Sequence, residues 1–247
     1  MSAIVVNAPA KLTLSLHITG VRADGFHLLD AEMVTLDWHD SLTIDPKSSG
    51  LTAAGPFADG MPLGRSNLVS RALRLVRRRA FVHIHKALPR GGGLGGGSAD
   101  AAAILRWAGF DDPARAVELG SDVPFCVVGG RASVRGVGQL VEPLPFEAID
   151  ITLVIPPMSV STPVVYRAWD DLGHPHSDGS NDLEQAAIVA FPEMATWRDR
   201  IREATGCSPA LAGSGATWFL RGHHDLDDVL PDALVVRTKT CPAEELP

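Results

Sequence analysis

Three sets of residues in this chain have the types and spacing for phosphate chemistry: a glycine run between Pro89 and Ser98, a lysine at Lys11, and an aspartate at Asp122. Six of the 24 glycines fall between Gly91 and Gly97, interrupted only by Leu94 and followed by Ser98 and an alanine-rich segment that favours helix. A backbone without Cβ atoms can turn its amides toward an anion, and the start of the following helix adds unpaired N–H groups and a positive dipole end. A flexible linker is also glycine-rich, but linkers carry serine and polar flanks. This run instead follows the alternating Phe81-Val-His-Ile-His and leads straight into helix formers. No Lys-Ser or Lys-Thr follows the glycines as a Walker loop requires, and the dinucleotide fingerprint lacks its acidic partner about 20 residues on.

Phosphoryl transfer needs a cradle for the donor phosphates, positive charge on the moving group, a residue that accepts or orients the acceptor hydroxyl, and usually a divalent cation. Lys11 heads an alternating strand after Pro9-Ala10, and Asp122 precedes the apolar Val-Pro-Phe. Buried charges need partners, and these two can pair.

The elements that must position these groups are legible in outline. Strands are expected over Ala3–Val6, Leu12–Ile18, Ala31–Asp37 and Ser41–Ile44, with a hairpin-like loop over Gly20–Gly25. A helix is expected over Asn67–Arg79, a strand over Phe81–His85, a helix from Ser98 to Trp107, and a short one over Pro113–Leu119. Asp122 to Gly130 reads as strand or loop, and Arg131–Gln139 as a glycine-spaced hairpin. The pattern resets near Phe146–Asp150, before the strand Ile151–Ile155, so we expect two domains, 1–150 and 151–247. The second half holds helices over Leu183–Val189 and Glu193–Thr205, a strand near Trp218–Leu220, closing strands near Val229 and over Leu234–Thr238, and a second glycine motif at Gly213-Ser-Gly.

Composition narrows the partners. With 29 acidic and 22 basic residues the net charge is −7, and Arg71, Arg74, Arg77, Arg78 and Arg79 recur at near-helical spacing as one solvated helix face, so nucleic acid is not an expected partner. The phosphate then belongs to a small molecule. Three cysteines without CxxC spacing suit a reducing compartment, with Cys126 in the core. No basic-then-apolar leader and no run of about 18 apolar residues is present, which points to a soluble cytoplasmic protein without a membrane partner. The nine histidines form no metal motif, so no dedicated transition-metal site is expected.

Pro9-Ala-Lys-Leu-Thr-Leu, Gly91-Gly-Gly-Leu-Gly-Gly-Gly-Ser-Ala-Asp-Ala-Ala and Gly213-Ser-Gly resemble, in this order, the three motifs of the GHMP kinase superfamily. Arg22-Ala-Asp-Gly-Phe-His, Lys86-Ala-Leu-Pro, Gly120-Ser-Asp-Val-Pro-Phe and Asn181-Asp-Leu-Glu are similar to the family within it that phosphorylates 4-diphosphocytidyl-2-C-methyl-D-erythritol in non-mevalonate isoprenoid synthesis. The resemblance spans Pro9 to about Leu220. It implies an α+β, two-domain GHMP kinase fold, with the active site in the interdomain cleft and ATP and Mg²⁺ as cofactors. The reaction it implies is transfer of the γ-phosphoryl to the 2-hydroxyl of the acceptor. Asp122 and Lys11 match the catalytic pair. Pro89, Arg90, Gly91, Gly92, Gly93, Leu94, Gly95, Gly96, Gly97, Ser98 and Ala99 match the residues that hold the ATP phosphates, with Ser98 a ligand to them or to Mg²⁺. Phe26 and Tyr166 match an aromatic pair that holds the cytosine, and His27 the residue that reads its edge. Thr13, Pro163, Gly213, Ser214 and Gly215 complete the implied acceptor site. The family usually has asparagine where Thr13 stands and tyrosine where Phe26 stands. The same loop would also serve kinases of homoserine, mevalonate or a sugar, or a nucleotide-binding relative without catalysis, and cytidine competition separates these readings.

Overall fold

Two long strands organise the N-terminal half of the molecule, a computed structural model that describes residues 3–245. β1 (Ile4–Val21) and β2 (His27–Asp45) form one antiparallel hairpin, where the sequence pattern suggested four shorter strands. The pattern breaks at three register shifts, between Pro9/Lys11, Thr13/Ser15 and Ile18/Gly20, while pairing continues from Ile4↔Ile44 to Val21↔His27. Bulges interrupt alternation without ending a ladder. Ala10, Lys11, Leu12, Thr13 and Leu14 are therefore all buried in succession.

The other edge of β2 pairs with β4 (Phe81–His85) at one end and β5 (Arg131–Gly136) at the other. Outside these lie β3 (Gly50–Ala54), parallel to β4, and β6 (Leu140–Pro143), antiparallel to β5, giving the order β3-β4-β2-β5-β6 with β1 on the far side of β2. The free edge of β1 is covered by other segments: Lys11 N–H donates to Leu94 O at 3.0 Å, and Leu16 exchanges backbone bonds with Ser180 and Asp182. An edge closed in this way cannot recruit another strand.

Three helices pack on this sheet. α1 (Leu68–Leu75) is capped by Asn67, whose side chain accepts from Val69 N–H at 2.8 Å. It stops before Arg77, which takes a left-handed φ of 52°, so Arg77, Arg78 and Arg79 lie past the helix instead of extending its face. α2 (Gly96–Trp107) begins two residues earlier than the sequence suggested, inside the glycine run. Its residues Ala99 to Leu105 are all buried, because alanine lets the helix lie close on the sheet and between its neighbours. A 3₁₀ turn over Pro113–Glu118 leads to α3 (Val123–Val128), where a strand or loop was expected. Pro124 sits in the first turn with its φ preset, Gly129 closes the helix at φ 71°, and burial of Val123, Phe125 and Cys126 outweighs their β propensity.

The second sheet has the order β10-β7-β9-β8. It comprises β7 (Asp150–Ile155), β8 (Ala210–Leu211), β9 (Trp218–Arg221) and β10 (Leu234–Lys239), and the residues around Val229 form a turn rather than the expected strand. α4 (Thr162–Asp171), which the sequence reading left out, packs with α5 (Glu184–Ala190) and α6 (Glu193–Thr205) around Val165, Trp169, Met194, Ile201 and Trp218. Leu16 and Ile18 of β1 belong to this same core, while Ala10, Leu12 and Leu36 meet Leu94, Leu153 and Phe219 in a third cluster between the sheets. No helix among the described residues is long and apolar enough to cross a membrane.

Phe125 is fully buried and holds α3, and hence the residue before it, against the first core. Phe125→Ala should lower the unfolding free energy by about 3–5 kcal/mol, as read from urea titration.

Candidate active site

The glycine loop is a tight structure rather than a slack one. Gly93 has φ 76°, and a Cβ there would lie 2.5 Å from Ala212 O. Gly95 has φ 68°, and a Cβ there would lie 2.7 Å from Lys11 Cγ. Only glycine fits either position, and the loop thereby touches both the strand of Lys11 and the second glycine motif. Gly95 is the N-cap of α2, so the amides of Gly96, Gly97 and Ser98 have no acceptor within the helix. They border a cavity of about 230 Å³, lined by Pro89 through Ser98 with Lys86 and Leu68. Donors at a helix start suit a polyphosphate. Ala99, by contrast, is buried in the core and does not line this cavity.

A buried charge cluster holds the loop from behind, and the sequence reading did not assign it a site role. Lys86 Nζ donates to Asp40 Oδ2 of β2 and to Asp100 Oδ2 of α2, the latter at 2.9 Å. Asp40 Oδ1 accepts from Ala87 N–H at 2.6 Å and Leu88 N–H at 2.9 Å. One strand, one helix and the segment entering the loop are thus tied at a single point. Burial opposes the Lys86 ammonium, but Asp100 and Asp40 outweigh it and raise its pKa. Burial pushes the Asp100 carboxyl up to about 7, with Lys86 pulling the other way and Asp40 adding to the rise. The signal in the sequence was Lys86 itself, a lysine between an apolar strand and Ala-Leu-Pro. Its carboxylate partners stand 46 and 14 residues away.

Lys11 and Asp122 do meet. Lys11 Nζ is 3.4 Å from Asp122 Oδ2 and donates to Thr13 Oγ1 at 3.1 Å; Lys11 is buried, whereas the Asp122 side chain is 30% exposed. They line a cavity of about 120 Å³ together with Thr13, Gly93, Tyr166, Gly213 and Ser214. The second glycine motif is held in place by Asn181, whose amide donates to Leu211 O at 2.8 Å and Gly213 O at 2.7 Å, and Ser214 Oγ shares a 2.7 Å hydrogen bond with Thr162 Oγ1. Gly215 lies behind it: a Cβ there would meet Met194 Cε at 3.0 Å, and Gly215 lines none of these cavities. Burial and the nearby Asp122 push the Cys126 thiol up to about 12, so it stays protonated and inert.

A third cavity, of about 560 Å³, is lined by Phe26, His27, Pro163, Tyr166 and Asp170 among others. Phe26 is 61% exposed, and Tyr166 is half-buried, with its phenol pKa raised by burial and by Asp122. Among the described residues the ring next to Tyr166 is His27, with centroids 4.6 Å apart, and not Phe26. Phe26 and Tyr166 both line this cavity, and no ring contact joins them among the described residues. Gly93 is a wall common to the first two cavities, and Tyr166 and Thr162 are common to the second and third. The glycine-loop cavity, the Lys11–Asp122 pair and the aromatic cavity therefore adjoin in one path. Arg90, Phe57, Met158 and Asp232 border a further cavity, of about 620 Å³, that shares Pro89, Arg90 and Gly92 with the loop cavity.

Residues 67–130 match the family model described as GHMP kinases N terminal domain. The chain is 41% identical over 231 residues to the 4-diphosphocytidyl-2-C-methyl-D-erythritol kinase of Paracoccus denitrificans, covering 86% of this chain and 84% of that protein. It is 39% identical to the protein of the same name from Ruegeria pomeroyi, covering 88% of each. A crystal structure of 4-(cytidine 5'-diphospho)-2C-methyl-D-erythritol kinase superposes with a TM-score of 0.76 at 31% identity, covering 96% of this chain and 100% of that one. A homoserine kinase from Cytophaga hutchinsonii shares the fold at a TM-score of 0.66 with 15% identity, covering 98% and 95%.

Asp100 generates a pH test. Between its ordinary value of 3.8 and about 7 the folded chain keeps a proton that the unfolded chain has released, so this group makes stability fall as pH rises through that window. Asp100→Asn lacks the titration, and its unfolding free energy relative to the parent should shift in the variant's favour between about pH 4 and about pH 8. A difference in urea stability that does not change with pH would rule the linkage out.

Proposed function

We infer the reaction from the family: the chain belongs to the 4-diphosphocytidyl-2-C-methyl-D-erythritol kinases of the GHMP superfamily. It is an ATP-dependent phosphotransferase of the isoprenoid pathway, and the reaction is transfer of the ATP γ-phosphoryl to the 2-hydroxyl of 4-diphosphocytidyl-2-C-methyl-D-erythritol. The observation that carries the residue assignment is the continuous path of three cavities, with Lys11 and Asp122 at its middle.

In this reading the first half, 1–150, binds ATP and the second, 151–247, closes the cleft over the acceptor. Residues 89–98 and the amides at the head of α2 hold the donor phosphates, where the cradle is too close for any Cβ at Gly93 or Gly95. Mg²⁺, bound with the nucleotide, would neutralise phosphate charge, and the Ser98 hydroxyl is the group this chain offers it. Asp122 accepts or orients the proton of the acceptor hydroxyl. Lys11, 3.4 Å away, pairs with that carboxylate and places positive charge where the phosphoryl passes. Thr13 supports Lys11 through the 3.1 Å hydrogen bond, a role its hydroxyl fills as an acceptor without the reach of the asparagine usual in the family. Phe26, Tyr166, His27 and Pro163 take the cytosine end, and Gly213 and Ser214 face the reacting centre.

Incubation with ATP, Mg²⁺ and the acceptor should release ADP and add one phosphoryl to the acceptor mass; ADP release without that gain would overturn the assignment. Asp122→Ala should lower kcat by about 10²–10⁴-fold with ATP affinity retained, and near-normal turnover would refute its role. Phe26→Ala and Tyr166→Ala should each weaken acceptor binding by about 1–3 kcal/mol, seen in KM more than in kcat.

A further inference from the structure

Next to the aromatic cavity, His27 is held in a way that the reaction itself does not require. Its Nε2 lies 2.9 Å from Asp170 Oδ1, at the C-terminal end of α4, and its side chain is 11% exposed. Its ring leans on Tyr166 and meets the edge of Trp169, with centroids 5.6 Å apart. Asp170 is itself braced. His174 Nε2 approaches the same oxygen at 3.4 Å, the His174 ring stacks on Trp169 with centroids 4.6 Å apart, and Trp169 Nε1–H donates to Pro175 O at 2.9 Å. The other ring nitrogen of His27, Nδ1, has no hydrogen-bond partner among the described residues, and His27 lines the cavity.

An ionised carboxylate only accepts hydrogen bonds, so the nitrogen facing Asp170 is the one that carries the proton. In a neutral imidazole the remaining nitrogen is then a lone pair, and which nitrogen is which is set by the partner of the other. We propose that Asp170 is a positioning and specificity-determining residue: it holds His27 as the Nε2–H tautomer, leaving Nδ1 as an acceptor that favours a base with an exocyclic amine, cytosine, over one with a carbonyl at that place, uracil. This rests on the acceptor reading above. An amine satisfies the lone pair, whereas a carbonyl oxygen set against it leaves two acceptors facing each other, and an unpaired polar contact in a desolvated site discriminates more than a lost contact in water. An imidazolium or the opposite tautomer would present a donor to the cavity and reverse the preference.

Two measurements test this. Long-range ¹H–¹⁵N spectra of histidine-labelled protein at neutral to mildly alkaline pH should show His27 protonated at Nε2 alone; protonation at Nδ1, or at both nitrogens, would overturn the proposal. Calorimetric titration with CMP and with UMP should show a preference for CMP of about tenfold or more in the parent. That preference should collapse toward parity in Asp170→Ala and persist in Asp170→Asn, which keeps an acceptor oxygen, with ATP affinity unchanged in both variants. CMP preference retained in Asp170→Ala, or lost equally in Asp170→Asn, would overturn the tautomer account while leaving the acceptor reading intact. Binding of neither nucleotide to the parent would overturn the acceptor reading itself, and the base preference with it.

Discussion

A close backbone approach at the glycine loop is the constraint on which the rest of the site depends. The loop between Pro89 and Ser98 passes between the Ala212 carbonyl and the methylenes of Lys11, with no room for a Cβ at Gly93 or Gly95. That constraint sets where α2 starts, because Gly95 supplies the left-handed cap from which the helix runs. It also presses three segments distant in sequence against one another, so the cradle, the lysine and the second glycine motif share one geometry. Gly93 and Gly95 are there for proximity, not for flexibility.

The two charged groupings near the loop divide the labour by exposure. Lys86, Asp40 and Asp100 are buried, and their desolvation cost offsets much of the attraction between them, so their main contribution is to hold β2, α2 and the loop entrance in one arrangement. Asp100 carries the residue of that cost, with its pKa raised and Oδ1 left without a partner. Lys11 and Asp122 sit where one side is packed and the other open: the lysine is buried and the carboxylate partly exposed. That half-open setting is compatible with the proposed role, since a sealed pair could not meet a substrate and a solvated one would be screened.

β1 joins the halves of the molecule. Its three register shifts let successive residues face different neighbours, so Ala8 joins the first core, Leu12 the layer between the sheets, and Leu16 and Ile18 the second core. Thr238 Oγ1 also donates to Asp37, and Leu36 bridges Thr240, which anchors the last strand of the second sheet to β2. With the sheets tied this way, α4 is placed with Tyr166 beside the Lys11–Asp122 pair and Asp170 against His27.

The sequence by itself determined the elements whose signals are local. β4 and α6 lie at the bounds the pattern indicates and the glycine run opens a helix, because strand alternation, helical periodicity and glycine's lack of a Cβ act within a few residues. The pairing of Lys11 with Asp122 was legible too, since each was a charge in an apolar run that had to find a partner. Only the tertiary structure decided the rest. β1 and β2 read as fragments because three register shifts interrupt their alternation, and α3 read as strand or loop because its β-branched residues are helical only through their packing. Asp40 and Asp170 carry no local mark at all: each matters through a partner 46 or 143 residues away, a distance that folding alone can close.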